Sequence, residues 1–285
     1  MDLVKLVPRR ALRADPRRLV RHGLDLVRPH PHGDDDRLRW ARRALEFAQR
    51  WPLVADRVPP RRDENPLRAF FEARVEGRGI WKWDHYLDAY HRHLARFRGR
   101  EVHVLEVGVY SGGSLDLWRD YFGPRCHVYG VDVEEACRRY EGDRTRIFVG
   151  DQGDRAFWQR FRADVPTLDV VIDDGGHKAA QQAVTLEELL PHLRPGGVYV
   201  TEDVHGSAND FAAYVGGLLD ALNASDIEED FEHPDRRSVN PTSGFQGLVD
   251  SIHSYPFLTV IEKRQEPVAE LVAPKRGSEW APFLT

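Results

Sequence analysis

The chain has 285 residues, 41% hydrophobic and 31% charged, with a formal net charge of −5, a balance that excludes wholesale disorder, collagen-like repeats and coiled-coil composition. No apolar run reaches the roughly 18 to 20 residues of a membrane span and the N-terminus lacks the apolar core of a secretion signal, so no membrane partner and a cytoplasmic location are expected. Two cysteines, Cys126 and Cys137, are too few for a disulfide framework and lack zinc-ligand spacing, while the net acidity argues against a nucleic-acid partner.

The first 65 residues alternate arginine-rich stretches with Pro16, Pro31, Pro52, Pro59 and Pro60, which predicts short helices joined by turns. We read residues 1–65 as a helical N-terminal extension and 66–285 as the main domain. Leu38, Ala41, Leu45 and Ala48 recur at helical spacing between Asp36 and Trp51 and predict an amphipathic helix packed on something. The tract His30, Pro31, His32 reads as loop rather than metal site for want of further ligands. Two more amphipathic stretches, Pro66 to Val75 and His85 to Phe97, are expected to cover a sheet edge. Between them, Gly79 to Tyr86 concentrates aromatics, and Trp81, Trp83 and Tyr86 could wall a substrate or cofactor as readily as fill a core.

From Val102 the texture becomes strand and helix alternation, the pattern of an α/β domain with a parallel sheet covered on both faces. Strands are predicted at Val102 to Val109, His127 to Val133, Arg146 to Val149, Leu168 to Ile172 and Val198 to Thr201. Helices are predicted at Gly112 to Phe122, Asp154 to Ala163, Lys178 to Leu193 and Phe211 to Leu222. The polar stretch Asn223 to Gly247 reads as a loop, a candidate lid. Leu248 to Ser254 and Leu258 to Ile261, around Pro256, read as a terminal antiparallel strand pair.

The first strand ends in Glu106, Val107, Gly108, Val109, Tyr110, Ser111, Gly112, Gly113 and runs straight into a helix. Glycines at such a turn let backbone approach a ligand and aim helix amides at an anion. A dinucleotide fingerprint would need glycine where Tyr110 stands. Asp132 closes the second strand, where a carboxylate can accept both hydroxyls of a ribose, and Asp151 with Gln152 closes the third, within reach of an adenine. This order on three successive strands, with the Leu190 to Gly197 turn before strand five, resembles the class I S-adenosylmethionine-dependent methyltransferases over residues 102–204. The resemblance implies a Rossmann-like sheet of seven strands, the last antiparallel. It also implies that Gly108 and Gly112 pass under the methionine part of the cofactor, Asp132 takes the ribose, Asp151 and Gln152 lie near the adenine, and Glu106, Tyr110, Ser111 and Asp173 complete its surroundings.

Strand four ends Asp173, Asp174, Gly175, Gly176, His177, and strand five ends Glu202, Asp203, Val204, His205. Their C-terminal ends share one crevice, so four carboxylates and two imidazoles converge with no arginine beside them in sequence. Acids this close repel unless protonated or bridged by a cation, and an oxygen-rich site with open positions suits Mg²⁺ or another divalent ion. The bland alternative is that Asp173 and Asp203 brace loops while His177 merely starts a helix. Asp-Asp-Gly-Gly-His, followed 25 residues after the His by Glu-Asp, resembles the metal-dependent sugar O-methyltransferases of macrolide and calicheamicin-type antibiotic pathways. That resemblance implies Asp174, Glu202 and Asp203 as metal ligands, His177 as general base, His205 as a supporting group, and a glycoside or nucleotide-sugar substrate. It further implies a homo-oligomer, dimer or tetramer, consistent with an extension too small for a core of its own. Two other classes stay open: an NAD-linked nucleotide-sugar oxidoreductase on the same doubly wound sheet, and a non-catalytic binding protein of the methyltransferase fold.

Overall fold

The computed structural model describes residues 34–51, 64–205, 209–225, 237–274 and 276–277; the tract at residues 30–32 lies outside them. The chain divides into two compact units, Met1–Arg61 and Arg62–Thr285. In the first, helix α1 spans Asp34–Ala48. Its Leu38 and Leu45 are both 65% exposed, and Trp40, Phe47 and Trp51 are exposed with them. Among the described residues, the apolar stripe read from the sequence is therefore exposed.

The second unit begins with α2 (Pro66–Ala73) and α3 (Asp84–Leu94). Asn65 caps α2, its side chain accepting from the amides of Leu67 and Arg68, and Pro66 fills the first turn, where a missing N–H costs nothing. Then come β1 (Val102–Val107), α4 (Gly113–Phe122), β2 (Cys126–Asp132), β3 (Thr145–Val149), α5 (Arg155–Asp164), β4 (Leu168–Asp173), α6 (Ala179–Leu189), β5 (Leu193–Thr201) and α7 (Phe211–Leu222). The chain continues through β6 (Arg237–Pro241), α8 (Gly244–Leu248), β7 (Val249–Tyr255), β8 (Leu258–Lys263) and β9 (Glu270–Pro274).

Seven strands form one sheet in the order β3-β2-β1-β4-β5-β8-β7. Strands β1 to β5 are mutually parallel, and β8 is antiparallel to both β5 and β7. This is the expected sheet, with its last strand reversed. The order turns back on itself between β1 and β4, and the C-terminal ends of strands beside such a switch point open into a crevice.

Alternate strand residues feed opposite layers. Val104, Val170 and Ile172 belong to the core shared with α2, α3 and α4, where Leu87, Tyr90, Trp118 and Phe122 are buried. Leu105, Val107 and Val171 join the opposite core with Trp158, Phe161, Leu186 and Phe211 of α5, α6 and α7.

One reading needs correction. The stretch Asn223 to Gly247 is not all loop: β6 pairs antiparallel with β9 in a separate two-stranded sheet, and α8 starts inside it on a capping box between Ser243 and Gln246. The capping box is a local signal. The strand depends on a partner some thirty residues downstream, which periodicity cannot reveal. The acidic part of the supposed lid, residues 226–236, lies outside the described residues.

The contrast between the helices is testable by denaturant unfolding. Leu87→Ala, in the fully buried face of α3, should cost about 2–5 kcal/mol. Leu45→Ala in α1 should stay within about 0.5 kcal/mol of the parent in a monomeric sample.

Candidate active site

A cavity of about 720 Å³ opens at the C-terminal edge of the sheet, over the switch point between β1 and β4. Its wall includes Gly108, Tyr110 and Ser111 after β1, Asp132 after β2, and Asp151 and Gln152 after β3. Asp174, His177, Glu202, Asp203 and His205, from the ends of β4 and β5, complete it opposite Trp81 and Trp83.

The turn after β1 requires its glycines. Gly108 has φ +90, and a Cβ there would lie 2.0 Å from the carbonyl oxygen of Asp174. Gly112, at φ +73, caps α4, and a Cβ would strike the Tyr140 ring at 2.9 Å. Asp132 holds this turn in place: the amides of Val109 and Tyr110 both donate to its Oδ2 at 2.9 Å, and that of Glu134 donates to Oδ1 at 3.0 Å. Tyr110 itself has φ +47 and is 78% exposed, so its ring stands free at the cavity mouth.

Of the adjacent acids, Asp174, Glu202 and Asp203 line the cavity and Asp173 does not. Asp173 is fully buried; its carboxylate accepts from Gln152 Nε2 at 3.0 Å and Tyr199 Oη at 3.4 Å. The Gln152 side chain also donates to Thr185 and accepts from the Gly176 amide. Asp173 therefore stiffens the floor beneath the cavity wall, which corrects its reading as a cofactor contact, while Gln152 stays in the wall with its amide engaged. Burial pushes the Asp173 carboxyl up to about 7, against its hydrogen bonds from Gln152 and Gly175.

Asp203 faces the cavity. Its Oδ1 accepts from Trp83 Nε1 and Tyr86 Oη, both at 3.0 Å. The imidazoles of His177 and His205 lie 3.6 Å from its two oxygens. His177 and Asp203 both hold left-handed backbone, φ +52 and +53, a conformation that costs free energy in a side-chain-bearing residue and clusters at functional sites. Two buried amides hold these loops. Asn209 Nδ2 donates to the His177 carbonyl at 3.0 Å and to Gln182 Oε1 at 2.7 Å, and Gln182 Nε2 donates to the Glu202 carbonyl at 2.9 Å. Donor atoms of Asp174, His177 and Asp203 all lie within 4.8 Å of one another, a spacing that fits a divalent ion.

The sequence reading missed the residue at the centre. The Lys82 ammonium, its side chain 2% exposed, donates to Asp174 Oδ2 at 2.5 Å, to Glu202 Oε1 at 2.8 Å and to Glu106 Oε1 at 3.4 Å. Burial alone would lower its pKa, but the three carboxylates raise it well above the ordinary lysine value. Burial and the neighbouring Asp174 raise Glu202, while Lys82 opposes both. Glu106, raised by burial, also accepts from Ser114 Oγ at 2.6 Å and lies beneath the cavity floor. Lys82 comes from 92 residues before Asp174 and 120 before Glu202, so no local pattern pairs them. The available signal was a rare lysine set between two tryptophans.

The aromatic segment splits. Trp81 is 87% exposed and Trp83 47%. Trp83 packs 5.4 Å from Phe257, on which His205 stacks at 4.5 Å. Tyr86 is fully buried and only its hydroxyl reaches the site, so it is not the stacking wall considered from the sequence.

Residues 105–204 match the model of a methyltransferase domain family. The chain is 36% identical over 205 residues, 66% of its length and 52% of the relative's, to 8-demethyl-8-alpha-L-rhamnosyl tetracenomycin-C 2'-O-methyltransferase of Streptomyces olivaceus. It is 38% identical over 222 residues, 70% of its length and 53% of the relative's, to demethylmacrocin O-methyltransferase of Streptomyces fradiae. It thus spans about half the length of these curated relatives. Among solved structures, the MycE methyltransferase of mycinamycin biosynthesis, in complex with Mg and SAH, superposes with a TM-score of 0.56 at 27% identity, covering 71% of this chain and 55% of that one. The fold is the Rossmann-like methyltransferase fold.

Asp173 gives the site a pH signature. Its folded pKa lies above the unfolded value of 3.8, so its favourable contribution is complete below that value and is lost as pH rises to about 7. In urea titrations the stability of the parent relative to Asp173→Asn should fall by a few kcal/mol across roughly pH 4 to 7 and level off above. A difference independent of pH would show that the Asp173 carboxyl titrates alike in the folded and unfolded chain.

Proposed function

We propose that this chain transfers a methyl group from S-adenosylmethionine to a sugar hydroxyl of a glycosylated natural product or nucleotide-sugar precursor, with Mg²⁺ or a similar divalent ion. The observation that carries this reading is the convergence of Asp174, His177 and Asp203 at one wall of a cavity whose other wall is the glycine turn and Asp132. The relatives' names, all describing O-methyltransferases, support it, and the missing glycine at Tyr110 argues against the NAD-linked alternative.

The residues fit both groups. Gly108, Ser111 and Asp132 would hold the cofactor, with the Asp132 carboxylate toward the ribose and Asp151 toward the adenine. Asp174, Glu202 and Asp203 would hold the ion, Asp174 and Glu202 sharing their charge with Lys82. When bound, a divalent ion lowers the pKa of a hydroxyl that it ligates. His177 then accepts the hydroxyl proton through the free electron pair of a neutral imidazole, and Asp203, 3.6 Å away, stabilises the imidazolium that forms. Trp81, Trp83 and Tyr110 offer flat apolar surface to the acceptor beside this centre. His205, stacked on Phe257, orients Asp203 from its other side.

Among the described residues no helix is long and apolar enough to cross a membrane. We place the chain in the cytoplasm, with a small-molecule substrate and no nucleic-acid partner, as a dimer or tetramer whose subunits cover the exposed stripe of α1.

His177→Ala should bind S-adenosylhomocysteine as the parent does and lose turnover by roughly two to four decades, with partial recovery at high pH. Turnover near the parent's at neutral pH would remove His177 as base. EDTA should abolish methyl transfer and Mg²⁺ restore it, read by mass spectrometry of a deoxysugar glycoside. Light scattering should give the mass of two or four chains, and Leu38→Ser/Leu45→Ser should reduce it.

A further inference from the structure

An ammonium group has three N–H donors, and Lys82 directs its three at three different carboxylates. Two of those acceptors, Glu106 and Glu202, have side chains at most 2% exposed, as does Lys82 itself. Asp203 adds a fourth carboxylate at the cavity side, carried by the residue next to Glu202. Four acids with one buried cation remain negative overall, yet without that cation they would repel strongly at low dielectric. Lys82 is no mobile surface lysine. The neighbouring Trp83 is tied to Asp203 through its indole N–H. Nearby, the Gly79 carbonyl packs so closely on Gly113 that a Cβ there would come within 2.3 Å. The ammonium is thus held in the cluster from both sides.

We propose that Lys82 is the resident counter-ion of this cluster, which keeps the metal-free protein folded and sets the affinity of the divalent-ion site by opposing the ion's charge. This rests on the metal reading above. Lys82 engages Asp174, a proposed ligand, so an ion at Asp174 and Asp203 shares a carboxylate with a fixed positive charge only a few ångströms away. The ion is therefore bound less tightly than its acidic surroundings alone would hold it, and the protein does not need it to fold.

The test measures binding of magnesium chloride by calorimetry, and thermal unfolding in EDTA and in Mg²⁺, on the parent, Lys82→Met and Lys82→Arg. The parent should unfold at nearly the same temperature in EDTA and in modest Mg²⁺. Lys82→Met should unfold several degrees lower in EDTA, regain the loss in Mg²⁺, and bind Mg²⁺ at least tenfold more tightly. Lys82→Arg should follow the parent. Should Lys82→Met fail to fold, Lys82→Met/Glu106→Gln keeps the cluster's net charge and should fold, and it should still bind Mg²⁺ more tightly than the parent, because the cation beside Asp174 is gone while the carboxylate removed lies beneath the cavity floor. Equal or weaker Mg²⁺ binding by the methionine variants, with the parent binding normally, overturns the role of Lys82 alone. Absence of Mg²⁺ binding by every protein overturns the metal reading and this inference with it.

Discussion

Charge balance at the C-terminal edge of the sheet is the constraint on which the rest of this structure depends. Glu106, Asp174, Glu202 and Asp203 come from the ends of three strands, and carboxylates that leave water this close together repel and are driven toward their neutral forms unless a cation lies among them. Lys82 supplies the missing charge, and with it the segment between α2 and α3 is drawn across the cavity. The helical layer before β1 is therefore part of the site and, contrary to the sequence expectation of an edge cover, packs on one face of the sheet's central strands.

Around that ionic centre the backbone is held in conformations that cost free energy. Tyr110, His177, Asp203 and Phe257 all have positive φ, and all four lie at or beside the cavity. Their surroundings over-determine them: Asp132 grips the Val109–Tyr110 turn, and the Gln182–Asn209 pair ties the His177 and Glu202 carbonyls together. Two packed layers supply the rigidity behind these grips, since the strands that end in the site are buried on both faces. The methyl transfer proposed above needs the sulfur, the methyl carbon and the acceptor oxygen in line with a base at the hydroxyl proton, and fixed loops on a stiff sheet suit that need better than a flexible cleft.

The rest of the chain is less tied to this centre. The small β6–β9 sheet and α8 follow α7 without contributing to the cavity wall. Helix α1 carries exposed apolar residues, and the chain spans about half the length of the curated relatives. The exposed Trp81 and Trp83 stand at the cavity wall opposite the ends of β4 and β5.

Local pattern alone determined the strand and helix alternation, the glycine turn after β1, Asp132 at the end of β2, and the convergence of Asp174, His177, Glu202 and Asp203. Each of these is written in residues adjacent in sequence or at the ends of successive strands, and backbone periodicity and φ preferences act over that range. Tertiary structure decided that Asp174 lines the cavity while Asp173 is buried beneath it, and that Glu202 is buried against Lys82 while Asp203 is the more exposed of its pair. It also buried Tyr86 while leaving Trp81 exposed, and paired β6 with a strand some thirty residues away. Above all it brought Lys82 to carboxylates 92 and 120 residues distant. A charge pair across that separation leaves no periodic trace, because its energy depends on distance and dielectric in the folded chain, and both exist only after the layers have closed.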